Sequence, residues 1–275
     1  MTDSPGAALV TGAARGQGRA HAVTLARLGY DVVCFDVPEG LTTLPYETAT
    51  AQDLHETCKL IEKLDRRAVP VAGDVRSTAA MQQAVDAAAE LGELSVVVAN
   101  AGICSFASFE DITDEQWDEM IAVNLGGVFR TLRAAIPIMR AQGHGRLIAT
   151  SSMAGRGGSP HLAHYAATKA GVISLIKTLA LELGSSGITA NVLCPTTVDT
   201  PMVHNAPMYG LFAPDVSQPT KENVTPRYAA MNPMQVPWLQ PEEIAEAMAF
   251  LVSDAARHVS GLILEVSAGG GGAQL

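Results

Sequence analysis

Short runs rich in β-branched residues recur along this chain, and most are followed by a stretch with helical periodicity. AALVT (7–11), DVVCFD (31–36), VPVAGD (69–74), LSVVVANAG (94–102), GRLIATSS (145–152), ITANVLCP (188–195) and GLILEVS (261–267) read as seven strands. Helical patterns over 19–28, 78–91, 114–140, 162–184 and 241–253 separate them, and Gly29 stands where the first helix needs its C-cap. The runs are nearly continuous in apolar residues, the pattern of strands covered on both faces. Parallel strands need crossover connections, and the helical stretches supply them. The expected fold is α/β: a doubly wound, parallel, seven-stranded sheet with helices on both faces. No linker divides the chain, so residues 1–275 are expected to form one domain.

Two segments break the alternation. Residues 37–60 insert about two turns of extra chain after the second strand. Residues 201–241 read as a long loop rich in Pro, Met and aromatics; loops of that length in compact domains are usually functional or disordered. The glycines at 269–272 suggest a flexible or partly docked tail. Apolar residues make up 48% of the chain and charged residues 17%, enough for a well-buried core. The net charge of −10 repels a polyanion, so nucleic acid is not an expected partner. The start, MTDSPGA, lacks the charged and apolar regions of a signal peptide. No apolar run reaches the about 18 residues that span a bilayer, and the expected location is the cytosol. Cysteines 34, 58, 104 and 194 show no CxxC spacing and read as reduced, buried thiols; the seven histidines show no metal-binding arrangement.

TGAARGQG (11–18) places glycines 12, 16 and 18 between a strand and a helix. Glycines let backbone approach a pyrophosphate closely, and the helix start offers free N–H groups and a positive dipole end. Asp36, at the end of the second strand, can accept both hydroxyls of an adenosine ribose. It also repels a 2′-phosphate, by about 1 kcal/mol at 4 Å in water and about 4 at an effective dielectric of 20, which favours NAD over NADP. Arg15 is the counterweight, because a flexible guanidinium in the loop can reach a phosphate. Asp74-Val75 and Asn100-Ala101-Gly102 end the third and fourth strands, on the carboxyl edge where such sheets bind ligands.

Tyr165 and Lys169 lie four residues apart in AHYAATKAGV (163–172), and Ser152 precedes the tyrosine by thirteen. Taken singly, each has an ordinary explanation. A Tyr–Lys pair decorates a helix, a Ser after a strand caps a turn, and an Asn such as Asn124 satisfies a core. Together with the glycine loop they resemble a classical short-chain dehydrogenase/reductase over nearly the whole chain. The residues that carry the resemblance are TGAARGQG, Asp36, DV (74–75), NAG (100–102), Asn124 in AVNLGGVF, Ser152 in TSSMAG, YAATK (165–169) and CPTTVDTPM (194–202).

The resemblance implies a Rossmann-like domain, bound NAD and hydride exchange with an alcohol or ketone. Tyr165 is then the general acid/base. A phenol titrates near 10, and bringing it close to neutrality takes roughly 4 kcal/mol, supplied by Lys169 and oxidised nicotinamide. Ser152 steadies the substrate oxygen. By resemblance, Lys169 also holds the nicotinamide ribose and Asn124 anchors a relay water. Gly12, Arg15, Gly16, Gln17 and Gly18 cradle the pyrophosphate, while Pro195, Val198 and Thr200 fix the nicotinamide. His164 points about 100° away from Tyr165 around the helix and reads as structural. The family more often has Pro-Gly at Pro195-Thr196, and an acid at Ser267. The 37–60 insertion resembles the mycofactocin-associated, carveol dehydrogenase-like subfamily. That implies tightly held NAD reoxidised by mycofactocin, and a homotetramer built on 114–140, 162–184 and the last strand. Met202, Met208, Tyr209, Leu211, Phe212, Met231, Met234 and Trp238 suit either a lid over a hydrophobic secondary alcohol or a loop packing on its own protein. Other functions to weigh are an inactive NAD-binding sensor or scaffold, and an epimerase or dehydratase of the wider superfamily.

Overall fold

A computed structural model of the chain describes residues 5–36 and 41–270. The elements run β1 (Ala7–Thr11), α1 (Gly16–Arg27), β2 (Asp31–Asp36), α2 (Ala51–Glu62), β3 (Ala68–Ala72), α3 (Thr78–Leu91), β4 (Leu94–Ala99), α4 (Asp114–Met120), a π-helical turn (Ile121–Leu125), α5 (Gly126–Gln142), β5 (Gly145–Thr150), α6 (Ala163–Leu183), β6 (Ile188–Pro195), α7 (Ala206–Phe212), α8 (Lys221–Met231), α9 (Pro241–Val252) and β7 (Ile263–Val266). The seven strands form one parallel sheet in the order β3-β2-β1-β4-β5-β6-β7. The winding reverses between β1 and β4, and a crevice opens there at the carboxyl edge.

Successive strand residues feed opposite cores, as the two-residue period requires. Leu9, Val33, Val97, Leu147 and Ala149 pack against Met81, Val85, Leu132, Met139, Val172 and Ile176 of α3, α5 and α6. Val10, Val32, Cys34, Val96, Val98 and Ile148 pack against Leu25, Ile244, Met248 and Leu251 of α1 and α9. All are fully buried, and truncating one of the larger side chains to Ala costs about 2–5 kcal/mol. Helix α1 ends on Gly29 at φ +97°, with Gly29 N–H donating to Ala26 O and Tyr30 N–H to Leu25 O, a Schellman closure.

Three sequence expectations need correction. Residues 51–60 are not an insertion: they belong to α2, the ordinary crossover between β2 and β3, which Thr50 caps by accepting from Asp53 N–H. The extra chain is 37–50, of which 41–50 is described. Residues 201–241 are not simply a loop, because α7 and α8 lie within them, α7 capped by Asn205. Thirdly, Asp114–Gln142 contains a stretch long and apolar enough to cross a bilayer by composition. Here it is interrupted by the π turn, and α5 turns Val128, Leu132, Ala135 and Met139 into the core. The four cysteines are free and buried. The glycine tail is docked as far as Gly270, with Met234 N–H bonded to Ala268 O, and 271–275 lie outside the described residues.

Candidate active site

The turn from β1 to α1 is glycine-dependent for two separate reasons. Gly12 (φ +70°) and Gly16 (φ +54°) adopt left-handed backbone. At Gly18 the constraint is space: a methyl group there would lie 1.8 Å from the Gly12 carbonyl oxygen. One on Gly12 would lie 2.9 Å from Ala101 Cα, so this loop closes directly on the end of β4. Beside it, Gln17 Oε1 is buried with no hydrogen-bond partner among the described residues. Asp36 at the end of β2 is held in place because its Oδ2 accepts from Ala14 N–H at 2.8 Å.

Asn100 stitches three strand ends together. Its Nδ2 donates to Thr11 O at 3.1 Å and its Oδ1 accepts from Thr150 Oγ1 at 3.1 Å. Gly102 follows, 3.3 Å from Asn124 Oδ1 and 3.4 Å from Lys169 Nζ, measured from where its Cβ would stand. Asp74 is bonded to Arg76 N–H and guanidinium; burial works against its charge, but those bonds outweigh it and hold the carboxyl below its usual range. Val75 is buried against Gly127.

Ser152 follows β5 and accepts from Ala154 N–H at 3.1 Å. Helix α6 carries Tyr165 and Lys169. Burial raises the Tyr165 phenol, as does the nearby Cys104 thiol, and a hydrogen bond from Ser152 opposes them. Lys169 is 3% exposed; burial lowers it to about 8, and its ammonium donates to Thr150 O at 2.9 Å. Asn124 sits inside the π turn, with Oδ1 accepting from Ile103 N–H at 2.8 Å and Nδ2 donating to Ile103 O at 2.9 Å. A π turn widens a helix by one residue and often marks a functional position. His164 turns away from the site and pairs with Ser105 Oγ at 3.0 Å, the structural place expected for it.

After β6, the segment from Pro195 to Thr200 returns to the glycine loop. Thr200 Cγ2 lies 3.1 Å from where a Gly16 Cβ would stand. Val198 bridges to Leu239, and Thr196 Oγ1 donates to Asn232 Oδ1 at 3.3 Å. Thr196, the departure from the Pro-Gly pattern, thereby ties this segment to the end of α8. Every residue expected at the site except Asn124 lines a single cavity of about 770 Å³, which runs from Asp36 past Tyr165 to Met231.

A family model described as short chain dehydrogenase matches residues 6–208. The chain belongs to the short-chain dehydrogenase family. It is 42% identical over 265 residues to (-)-trans-carveol dehydrogenase of Rhodococcus erythropolis, covering 95% of this chain and 96% of that one. Carveol dehydrogenase from Mycobacterium avium, solved in complex with NAD, superposes with a TM-score of 0.95 at 41% identity, covering 97% of this chain and 98% of that one. A short chain dehydrogenase from Mycobacterium paratuberculosis bound to NAD gives 0.88 at 33%, covering 97% and 98%.

In this short-chain dehydrogenase, sequence reasoning missed Tyr46 in the extra chain. The stretch 41–50 lies as a strap along the cavity. The Thr43 hydroxyl and N–H both donate to the Glu119 carboxylate on α4. Arg15 donates to the Glu47 carbonyl, and Cys104 N–H donates to the Tyr46 hydroxyl at 3.0 Å. The strap thus carries a phenol, Tyr46, from the Asp36 end to the neighbourhood of Tyr165. The signal was the lone aromatic in LPYE (44–47), but nothing local says where such a loop docks.

Proposed function

We propose that this chain is an NAD-dependent alcohol dehydrogenase that interconverts hydrophobic secondary alcohols and ketones, with Tyr165 as general acid/base. The observation that carries the reading is continuity. One cavity joins the glycine cradle and Asp36 to Tyr165, with Ser152 lining it beside the phenol and buried Lys169 following one helical turn later. The residues present fit the cofactor: the cradle excludes side chains where a pyrophosphate would press, and Gln17 offers a buried acceptor with no partner among the described residues. NAD, when bound, supplies the two-electron acceptor.

The chain's own groups then have separable tasks. Gly12, Arg15, Gly16, Gln17 and Gly18 hold the pyrophosphate, and the Asp36 carboxylate accepts ribose hydroxyls while repelling a 2′-phosphate. Asp74, Val75, Asn100, Ala101 and Gly102 line the adenosine side and the middle. Pro195, Val198 and Thr200 fix the nicotinamide, and Lys169 holds its ribose. Ser152 donates to the substrate oxygen, and Asn124 orders a relay water. Burial keeps the Tyr165 phenol protonated, so it is poised first to protonate a ketone oxygen. In the oxidation direction it needs positive charge beside it, and Lys169 at about 8 is still mostly charged at neutral pH.

Met202, Met208, Leu211, Phe212 and Met231 make the substrate end apolar and adaptable, which supports a terpenoid-like or alicyclic alcohol. The names of the relatives point the same way. The strap supports tightly held NAD; mycofactocin as the external redox partner that reoxidises it follows from the subfamily resemblance. Phe129 on α5 and Leu181 on α6, 44% and 88% exposed, support assembly of a homotetramer through those helices. The deciding variant is Tyr165→Phe. It is expected to abolish oxidation of a cyclic terpenoid alcohol, followed with an artificial electron acceptor, while NAD stays bound. Wild-type turnover by that variant sinks the reading. A wild-type protein that binds NAD but oxidises no alcohol favours a sensor instead.

A further inference from the structure

The two lid helices, α7 and α8, are both pinned to one carboxylate. Asp199 stands between Val198 and Thr200, in the segment that returns to the glycine loop, and its N–H donates to Leu239 O at 2.8 Å. Its Oδ1 touches His204 Nε2 at 2.7 Å, and its Oδ2 faces the Lys221 ammonium, at the start of α8, at 3.7 Å. The other ring nitrogen of His204, Nδ1, lies 2.9 Å from the Tyr209 hydroxyl on α7. Between Asp199 and His204 the backbone turns sharply, with Val203 N–H and His204 N–H both donating to Thr200 O at 2.9 Å.

Packing alone does not explain His204. Its ring meets Trp238 edge-on, 4.8 Å between centroids, and a phenylalanine can make that contact. A phenylalanine cannot reach two elements with two nitrogens. Nε2, set against a carboxylate, carries a proton, so in the neutral ring Nδ1 is left to accept from the Tyr209 hydroxyl. Asp199 Oδ1 stands off the Nε2–H axis, so that half of the link is attraction of charge for dipole more than a directed bond. Burial, with Lys221 acting in the same sense, holds the imidazole below its usual range although Asp199 pulls the other way; the ring is mostly uncharged at neutral pH. Asp199, His204 and Tyr209 do not line the cavity, whereas Met202 and Val203 on the turn and Met208, Leu211 and Phe212 on α7 do. The link therefore acts on a substrate through those neighbours.

We propose that His204 is a positioning residue that fixes α7 against the nicotinamide-holding segment, through Asp199 on one side and Tyr209 on the other. It thereby sets how closely the apolar wall of Met208, Leu211 and Phe212 meets the part of a ring alcohol remote from the carbinol that reacts. The preferred substrates are then ring alcohols bulky enough to touch that wall, and the link contributes to binding rather than to the chemical step. This rests on the alcohol dehydrogenase reading and adds to it the group that selects for size.

Two probes of different bulk test it: cyclohexanol and 4-tert-butylcyclohexanol. Both are assayed with NAD present and excess artificial electron acceptor, in the wild type, His204→Phe, Tyr209→Phe and the double variant. The wall grips the tert-butyl group equally in ground and transition state, so loosening it appears in KM and not in kcat. His204→Phe is expected to raise KM for the bulky probe by about tenfold and Tyr209→Phe by about fivefold, with KM for cyclohexanol and both kcat values within about twofold of wild type. The double variant should be no worse than His204→Phe, because Tyr209 acts through His204. Tyr209→Phe leaves the His204 ring on Trp238, so it carries the test even where His204→Phe fails to fold. An unchanged KM ratio between the probes, an equal rise for both, a fall in kcat, or additive effects in the double variant overturns the inference alone. Oxidation of neither probe by the wild type overturns the functional reading with it.

Discussion

The Lys169 ammonium donates to the Thr150 carbonyl at 2.9 Å and lies 5.6 Å from the centre of the Tyr165 ring. The last carbonyl of β5 thus anchors the cation of α6, and sheet and helix together set where positive charge meets the phenol. Lys169→Met removes that charge and leaves Thr150 O unpaired. Turnover is expected to fall by about 100-fold or more, and the residual activity to need higher pH. The measurement is kcat across about pH 6 to 10. A uniform loss with an unchanged profile would reduce Lys169 to a tether.

Asp36 should decide between the two nicotinamide cofactors. Asp36→Ser is expected to weaken NAD and strengthen NADP, narrowing the ratio of their kcat/KM values by about tenfold or more. The Ala14 N–H loses its 2.8 Å acceptor as well, so stability should drop by about 1–3 kcal/mol. Urea unfolding separates the two effects, and a variant that stays selective for NAD would shift the discrimination to Arg15.

The strap makes cofactor release testable. Glu119 is 10% exposed, accepts from Thr43 N–H at 3.2 Å and faces Arg76 at 3.5 Å. Glu119→Gln keeps the shape but weakens the charge-assisted bonds, and about tenfold faster NADH dissociation is expected. Tyr46→Phe, which takes the acceptor from Cys104 N–H, should act in the same direction. Stopped-flow fluorescence of NADH release is the readout, and wild-type rates in both variants would show that the strap does not gate the cofactor.

His21 imposes a pH dependence of stability unrelated to catalysis. It is fully buried on α1, both ring nitrogens lack partners among the described residues, and burial lowers it to about 4. The folded value lies below the unfolded one, near 6.5, so the unfolded chain binds the proton more readily. Stability is therefore fully present above about pH 6.5 and lost as pH falls towards 4, by roughly 3 kcal/mol in all. His21→Leu should flatten that slope, measured as the urea midpoint at about pH 7.5 and about pH 5. An equally steep slope in the variant would assign it to other groups.

Much of this fold was legible because its signals are local. The β-branched runs, the glycine loop and the acid closing β2 each report on a few neighbouring residues. The errors fell where a local pattern has two outcomes. Residues 51–60 have a polar face and a modest apolar one, and read as inserted chain until α2 is seen bridging β2 and β3. Pro, Met and aromatics at 201–241 obscured α7 and α8, whose helical content depends on packing around Tyr228 and Trp238. The π turn at 121–125 has no sequence signature, because it is one extra residue accommodated by neighbours.

The sequence by itself determined the parallel sheet, the order of its elements and the residue types of the site, since backbone geometry and chemistry are written in short windows. Only the tertiary structure decided how charge and burial balance on Tyr165, where the strap lays Tyr46, and that the Tyr228 hydroxyl is buried in the lid without a partner among the described residues. Each of those depends on distances between segments far apart in the chain, and burial, which sets the sign of every such interaction, is a property of the packed whole.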